Sequence, residues 1–108
     1  MNDVIKDLYD IVIERKASPQ EGSYTAYLFK EGLDKILKKI GEESAETIIA
    51  AKNGDDKLLT EEVCDLLYHL LVMLAEKNID IERIFDELVE RRKKIGNLKV
   101  MKNTDRNT

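Results

Sequence analysis

The segment LDKILKKIGEESAETIIAAKNG, residues 33–54, decides how the rest of the chain is read. At about 100° of rotation per residue, Leu33, Ile36, Leu37, Ile40, Ser44, Ile48 and Ala51 fall along one stripe, until Asn53-Gly54 ends the pattern. The segment therefore reads as a long helix. Beside its stripe run Lys39, Glu43, Glu46 and Ala50, which puts two carboxylates three residues apart at the boundary between core and water. Gly41 interrupts the helix at a cost of about 1 kcal/mol relative to alanine, a hint that something approaches closely there.

The next apolar segment answers the first. From Lys57 or Thr60 to Lys77, Leu59, Val63, Leu66, Leu70 and Leu74 share one face, and Leu67, Leu71 and Met73 add apolar character on others. A centrally buried helix is expected, with Cys64 in the core. Glu62, Asp65 and His69 form a polar strip flanking the main face. If the two helices pack antiparallel, Glu43 and Glu46 converge on Glu62 and Asp65. Converging carboxylates repel, and a cation offsets the repulsion. All-oxygen donors suit Mg²⁺ or Mn²⁺, and Mg²⁺ keeps room for water and for the phosphates of a ligand. The competing reading is a solvated face, salt-bridged to Lys38, Lys39 and Lys52, and the pattern alone leaves both open.

Outward from these two helices the chain stays helical. Asp3 is a candidate N-cap for a helix through Val4, Ile5, Leu8, Ile11 and Val12 to Arg15. Lys16 to Gly22 holds the single proline, Pro19, and reads as a loop. Ser23-Tyr24-Thr25 restarts a short helix that stops near Gly32. Downstream, Asp80 caps a last helix through Ile81, Ile84, Phe85, Leu88 and Ile95, ended by Gly96-Asn97. With no strand-like alternation and no repeat, the expected fold class is all-α, four main helices plus a short one. Residues 1–96 form the domain and residues 97–108 a polar tail.

Composition narrows the function classes. One domain of 108 residues with 43% apolar content can bury a core, and helices apolar on several sides gain further burial by self-association. A net charge of −4 gives no general attraction to nucleic acid. A lone Cys64 forms no internal disulfide, and neither a leader pattern nor an apolar run of 18 residues is present. The expected location is the cytoplasm, with no membrane partner.

Ser23-Tyr24-Thr25, Lys39 to Glu46, Ala50-Ala51-Lys52, Glu62 with Asp65, Leu67-Tyr68-His69-Leu70 and Glu87-Leu88 through Arg91 together resemble the phosphoribosyl-ATP pyrophosphatase family of histidine biosynthesis. The resemblance runs in order from about Val4 to Arg92. It extends to the wider all-α nucleoside-triphosphate pyrophosphohydrolases of MazG and dimeric dUTPase type, whose ExxE…ExxD signature is matched here. It implies a bundle completed by homodimerisation, or a larger even oligomer. The implied reaction is hydrolysis of phosphoribosyl-ATP between its α and β phosphates, giving phosphoribosyl-AMP and pyrophosphate with Mg²⁺. Glu43, Glu46, Glu62 and Asp65 match the metal-binding acids, and Glu42 or Glu46 is the candidate general base. Ser44 departs from the small apolar residue expected between the acids. The chain begins directly in the resembling region, so the cyclohydrolase fused upstream in some relatives is expected on another polypeptide.

The remaining candidates each carry two readings. Lys39 is placed to meet a phosphate oxygen or to pair with Glu43. Ser23, Tyr24 and Thr25 open a helix, where backbone amides bind phosphate or a side chain caps. His69, one turn past Asp65, can support that carboxylate or be structural. Arg91 fits the family pattern and also sits well at a helix C-terminus, as Arg15 does, while Tyr68 is expected to pack. A di-iron bundle needs Glu-x-x-His, but Leu66 stands three residues before His69. A dUTP-hydrolysing relative, or a helical interaction module without chemistry, are the alternatives.

Overall fold

Capping chemistry sets the element boundaries. The computed structural model describes residues 2–94. Among them it has five helices and no strand: α1 (Asn2–Ala17), α2 (Tyr24–Glu31), α3 (Leu33–Asn53), α4 (Asp56–Glu76) and α5 (Ile81–Arg92). Ser23 Oγ accepts from the Ala26 N–H at 3.2 Å, Asp55 from Leu58 at 3.0 Å and Asp80 from Glu82 at 2.9 Å. Each satisfies a donor that the first helical turn leaves unpaired. Gly32 separates α2 from α3 with φ 94°, and Gly54 ends α3 in the left-handed region at φ 71°, backbone that a side chain disfavours. Asp3 lies inside the first turn of α1 and is not its cap. Helix α5 ends at Arg92, with Lys93 as its C-cap, short of the expected end at Gly96-Asn97; the tail 97–108 lies outside the described residues.

Helices α3 and α4 make the most extensive pairing, α1 lies against α4, and α2 lies against both α1 and α3. The core gathers Tyr9 and Val12 of α1, Leu28 of α2, Ile36 of α3, Leu71, Val72 and Ala75 of α4, and Ile81 of α5. Polar contacts fix α1 on the end of α4. Tyr9 donates its hydroxyl to the Ile79 carbonyl at 2.6 Å, and Lys16 Nζ donates to the Ala75 carbonyl at 2.7 Å and to Asn78 Oδ1 at 3.0 Å. The Ala75 carbonyl, in the last turn of α4, also accepts from the Asn78 N–H at 3.1 Å, and a cation at that end suits the helix dipole.

Burial departs from the apolar stripes in a specific way. The buried residues of α3 are Ile36, Glu43 and Ala50, whereas Leu37 and Ile48, both on the expected core stripe, are 44% and 68% exposed. On α4 burial is confined to the C-terminal half, at His69, Leu71, Val72 and Ala75, while Val63 and Leu67 are exposed. Cys64 is exposed too, contrary to its expected place in the core. The cause is reach: α1 meets α4 around Ala75, toward the C-terminal end of that helix. Gly41 has open space around it, with no atom within 4 Å of where a Cβ would stand, so the expected close approach does not come from within this chain.

Leu28 has no exposed surface and joins three helices, so Leu28→Ala should cost about 2–5 kcal/mol of unfolding free energy in urea titration. A loss below about 1 kcal/mol would show that the core does not centre there.

Candidate metal and phosphate site

The packing of α3 on α4 brings three carboxylates into one cluster. Glu43 from α3 and Glu62 and Asp65 from α4 each offer an oxygen within 4.8 Å of the others. Glu43 is only 7% exposed, Glu62 is half-buried and Asp65 is exposed, so the cluster opens to solvent at one side. Oε2 of both Glu43 and Glu62 is buried without a hydrogen-bond partner. Carboxylate oxygens only accept, so further carboxylates cannot satisfy them, and a proton or a cation can.

The crowding of the acids favours a proton on Glu62. Glu62 is pushed from an ordinary 4.5 up to about 7, first by hydrogen bonding to Glu46, then to Glu43, with burial and the two negative charges adding to it. Glu46 itself is exposed at the rim. The donor set is all-oxygen, mixed in burial and open on one side, which fits a hard divalent cation that retains room for water and phosphate. Of the four acids singled out from sequence, Glu43, Glu62 and Asp65 form the compact group, and Glu46 adjoins it through Glu62.

A layer of aromatic and hydroxyl groups from α2 braces α4 beside this cluster. His69 is buried, and its Nδ1–H donates to the Asp65 main-chain carbonyl at 2.7 Å. That carbonyl can only accept, so in the neutral ring Nε2 is the acceptor for the Tyr24 hydroxyl at 2.8 Å. His69 thus meets the backbone of Asp65 where the sequence suggested its carboxylate. One residue further along α2 and one residue back along α4, the Thr25 and Tyr68 hydroxyls bond each other. The two dipeptides Tyr24-Thr25 and Tyr68-His69 are therefore matched partner for partner. Burial holds the Tyr24 phenol above its ordinary value, with Lys39 opposing and Glu43 reinforcing the shift, which brings both charges within electrostatic reach of the ring.

Other candidates are placed as follows. Lys39 Nζ lies 3.9 Å from Glu42 Oε1, so the near partner of Lys39 is Glu42 and not Glu43. Glu42 is exposed and outside the three-acid group. The Ser23 hydroxyl is occupied in capping, and Thr25 is buried with Tyr68 as its partner. Arg91 Nε donates to Glu87 Oε2 at 3.0 Å on α5. Tyr27 and Lys35, absent from the sequence-derived set, stand beside Tyr24: the tyrosine rings are 6.2 Å apart, and Lys35 Nζ is 5.9 Å from the Tyr27 centroid. The i,i+3 spacing of the two tyrosines was the available signal.

Carboxylates gathered on one side of a helix pair, with a lysine one turn away, are chemically suited to a divalent cation and a phosphate-bearing ligand. Residues 5–92 match the family described as phosphoribosyl-ATP pyrophosphohydrolase, and the chain belongs to that family. It is 57% identical over 98 residues to a phosphoribosyl-ATP pyrophosphatase of Clostridium botulinum, covering 91% of this chain and 89% of the relative. A protein of that name from Lactiplantibacillus plantarum is 53% identical over 95 residues, 88% of this chain and 90% of the relative. The histidine biosynthesis bifunctional protein HisIE of Thermoanaerobacter pseudethanolicus is 52% identical over 84 residues, 78% of this chain and 39% of the larger protein.

Because Glu62 binds its proton more tightly folded than unfolded, its contribution to stability is complete below about pH 4.5 and is lost as pH rises to about 7. With metal removed by chelation, the melting temperature of the wild type relative to Glu62→Gln should therefore fall across that window. A difference that is flat with pH, or rises, would contradict the crowded cluster.

Proposed function

We propose that this chain hydrolyses phosphoribosyl-ATP to phosphoribosyl-AMP and pyrophosphate, cleaving between the α and β phosphates, as the second step of histidine biosynthesis. Membership of the phosphoribosyl-ATP pyrophosphohydrolase family supports the substrate. The observation that carries the chemistry is the pair of buried, unpartnered oxygens on Glu43 and Glu62 facing Asp65. These three residues, with Glu46 at the rim, would hold Mg²⁺, and Mn²⁺ could replace it. When bound, Mg²⁺ neutralises phosphate charge and makes water easier to deprotonate.

The chain's own groups do the rest. Lys39, one turn before Glu43, meets a phosphate oxygen, exchanging its loose contact with Glu42 for a stronger charge-assisted bond. Glu46 is the better placed of the two base candidates, being exposed yet beside Glu62, whereas Glu42 neighbours Lys39. It takes the proton of the attacking water as pyrophosphate departs. Tyr24 and His69 hold the α4 backbone at Asp65 in place and touch no reacting atom.

A second copy of the chain completes the fold in this reading, as a MazG-like bundle. Leu37, Ile48 and Ile49 on α3 and Leu58, Val63 and Leu67 on α4 are exposed apolar residues on the two helices that carry the acids. Covering them offers burial that one copy does not provide. No helix among the described residues is long and apolar enough to cross a membrane, and the cytoplasm is the proposed location.

Pyrophosphate release from phosphoribosyl-ATP should require Mg²⁺, and Glu43→Gln or Asp65→Asn should lower kcat at least about a hundredfold with unchanged circular dichroism. Undiminished turnover in excess EDTA would remove the metal from the mechanism. Hydrolysis of dUTP but not of phosphoribosyl-ATP would move the chain to a sister activity. In sedimentation, the wild type should run as a dimer or larger even oligomer and Ile48→Glu as a smaller species; a monomeric wild type at micromolar concentration would refute the association.

A further inference from the structure

Two exposed tyrosines and an unshared lysine sit next to the acidic cluster, and the reaction as described uses none of their open surface. Tyr24 and Tyr27 are 46% and 43% exposed, their rings 6.2 Å apart and tilted 30°. Tyr24 is held by its hydroxyl bond to His69, so its ring is a fixed wall. Lys35 Nζ lies over Tyr27 at 5.9 Å and pairs with no carboxylate among the described residues. Lys39 and Lys35 then follow one another a turn apart on α3, leading away from Glu43. Tyr27 also borders an open groove of about 600 Å³ lined by Pro19, Gly22, Ser23, Ala26 and Phe29, which leaves room for a bulky planar group beside the ring.

Distance along α3 separates two roles. From Glu43 to Lys39 is four residues, about 6 Å of helix axis, and to Lys35 is eight, about 12 Å. With the scissile phosphates at the acids, the pyrophosphate end stays near Lys39. Lys35 is further off than a pyrophosphate group extends, at a span suited to the arm made of ribose and purine. Phosphoribosyl-ATP differs from ATP in carrying, on the adenine, a second sugar that ends in a phosphate. An aromatic platform followed by an unpaired cation is complementary to that arm: a flat base, then a separate dianion.

The geometry points to Tyr27 and Lys35 as the specificity-determining pair of this site, with the adenine against Tyr27 and the distal sugar phosphate on Lys35. The inference rests on the proposed activity. It explains why a chain of net charge −4 keeps lysines at both of these positions on the strip leading to its acids, the nearer for the triphosphate and the farther for the phosphate that ATP lacks.

The test is steady-state kinetics of the full chain with phosphoribosyl-ATP, with ATP and pyrophosphate as competing inhibitors. Lys35→Gln should raise KM for phosphoribosyl-ATP about tenfold with kcat changed less than about twofold, and leave both inhibition constants unchanged. Tyr27→Leu should weaken phosphoribosyl-ATP and ATP alike, about tenfold, and leave pyrophosphate unchanged. Lys38→Gln, the same loss of charge on an exposed neighbour, should match the wild type throughout. An unchanged KM in Lys35→Gln would overturn the assignment, and so would weaker pyrophosphate inhibition, which would put Lys35 on the leaving group. Wild-type protein that fails to hydrolyse phosphoribosyl-ATP at all would overturn the proposed function, and this inference with it.

Discussion

The structure depends on one electrostatic conflict, that of Glu43 against Glu62 and Asp65 across the α3–α4 contact. Their oxygens come within 4.8 Å, and two of them are buried with no donor. A chain selected for the stability of one copy would place apolar residues there, since a buried carboxylate without a partner is strongly unfavourable. Instead Glu43 is buried on α3 along with Ile36 and Ala50, which stand two turns before and after it. A proton on Glu62 relieves the conflict as pH falls, and the proposed divalent cation would relieve it at neutral pH without giving up any negative charge. Around the cluster, the contacts of α2 with Tyr68 and His69 tie α4 in place beside the acids.

The placement of apolar groups is the complement of this. Ile48 is 68% exposed while Glu43, five residues earlier on α3, is 7% exposed. That inversion makes sense when the two long helices face both inward and outward. One side of α3 is given to the acids and α4, the other to the surface on which the proposed second copy would rest. Burial in one copy is concentrated at the opposite end, where α1 grips the last turn of α4 through Lys16 and the α4–α5 connection through Tyr9.

The boundaries at Ser23, Gly32, Gly54 and Asp80 were legible in the sequence because they rest on local chemistry. Asp3, by contrast, does not cap α1, and α4 begins at Asp56, ahead of the expected Lys57 or Thr60. Ser23, Asp55 and Asp80 each accept from an N–H two or three residues on, and Gly32 and Gly54 end helices by backbone freedom alone. The convergence of Glu43, Glu62 and Asp65 was legible too, since rotation about two packed helices fixes which side chains share a strip. The phase of burial was not. Leu37, Ile48, Val63 and Cys64 read as core because apolar periodicity reports that a face is to be covered, without saying by which chain. The contact of Lys35 with Tyr27 was not legible either, since it depends on how the chain turns between α2 and α3 at Gly32, and from sequence Lys35 reads as a solvated lysine. The pairing of Thr25 with Tyr68 crosses 43 residues and was likewise visible only in three dimensions.

The central claim is that the three-acid cluster is the seat of the catalytic cation. Crystals soaked in Mn²⁺, with anomalous diffraction recorded at the manganese edge, test it most directly. The account predicts an anomalous peak within coordination distance, about 2.0–2.3 Å, of oxygens from Glu43, Glu62 and Asp65 together. A protein that hydrolyses its substrate with Mn²⁺ yet shows no peak there, or shows its only peak elsewhere, would contradict it.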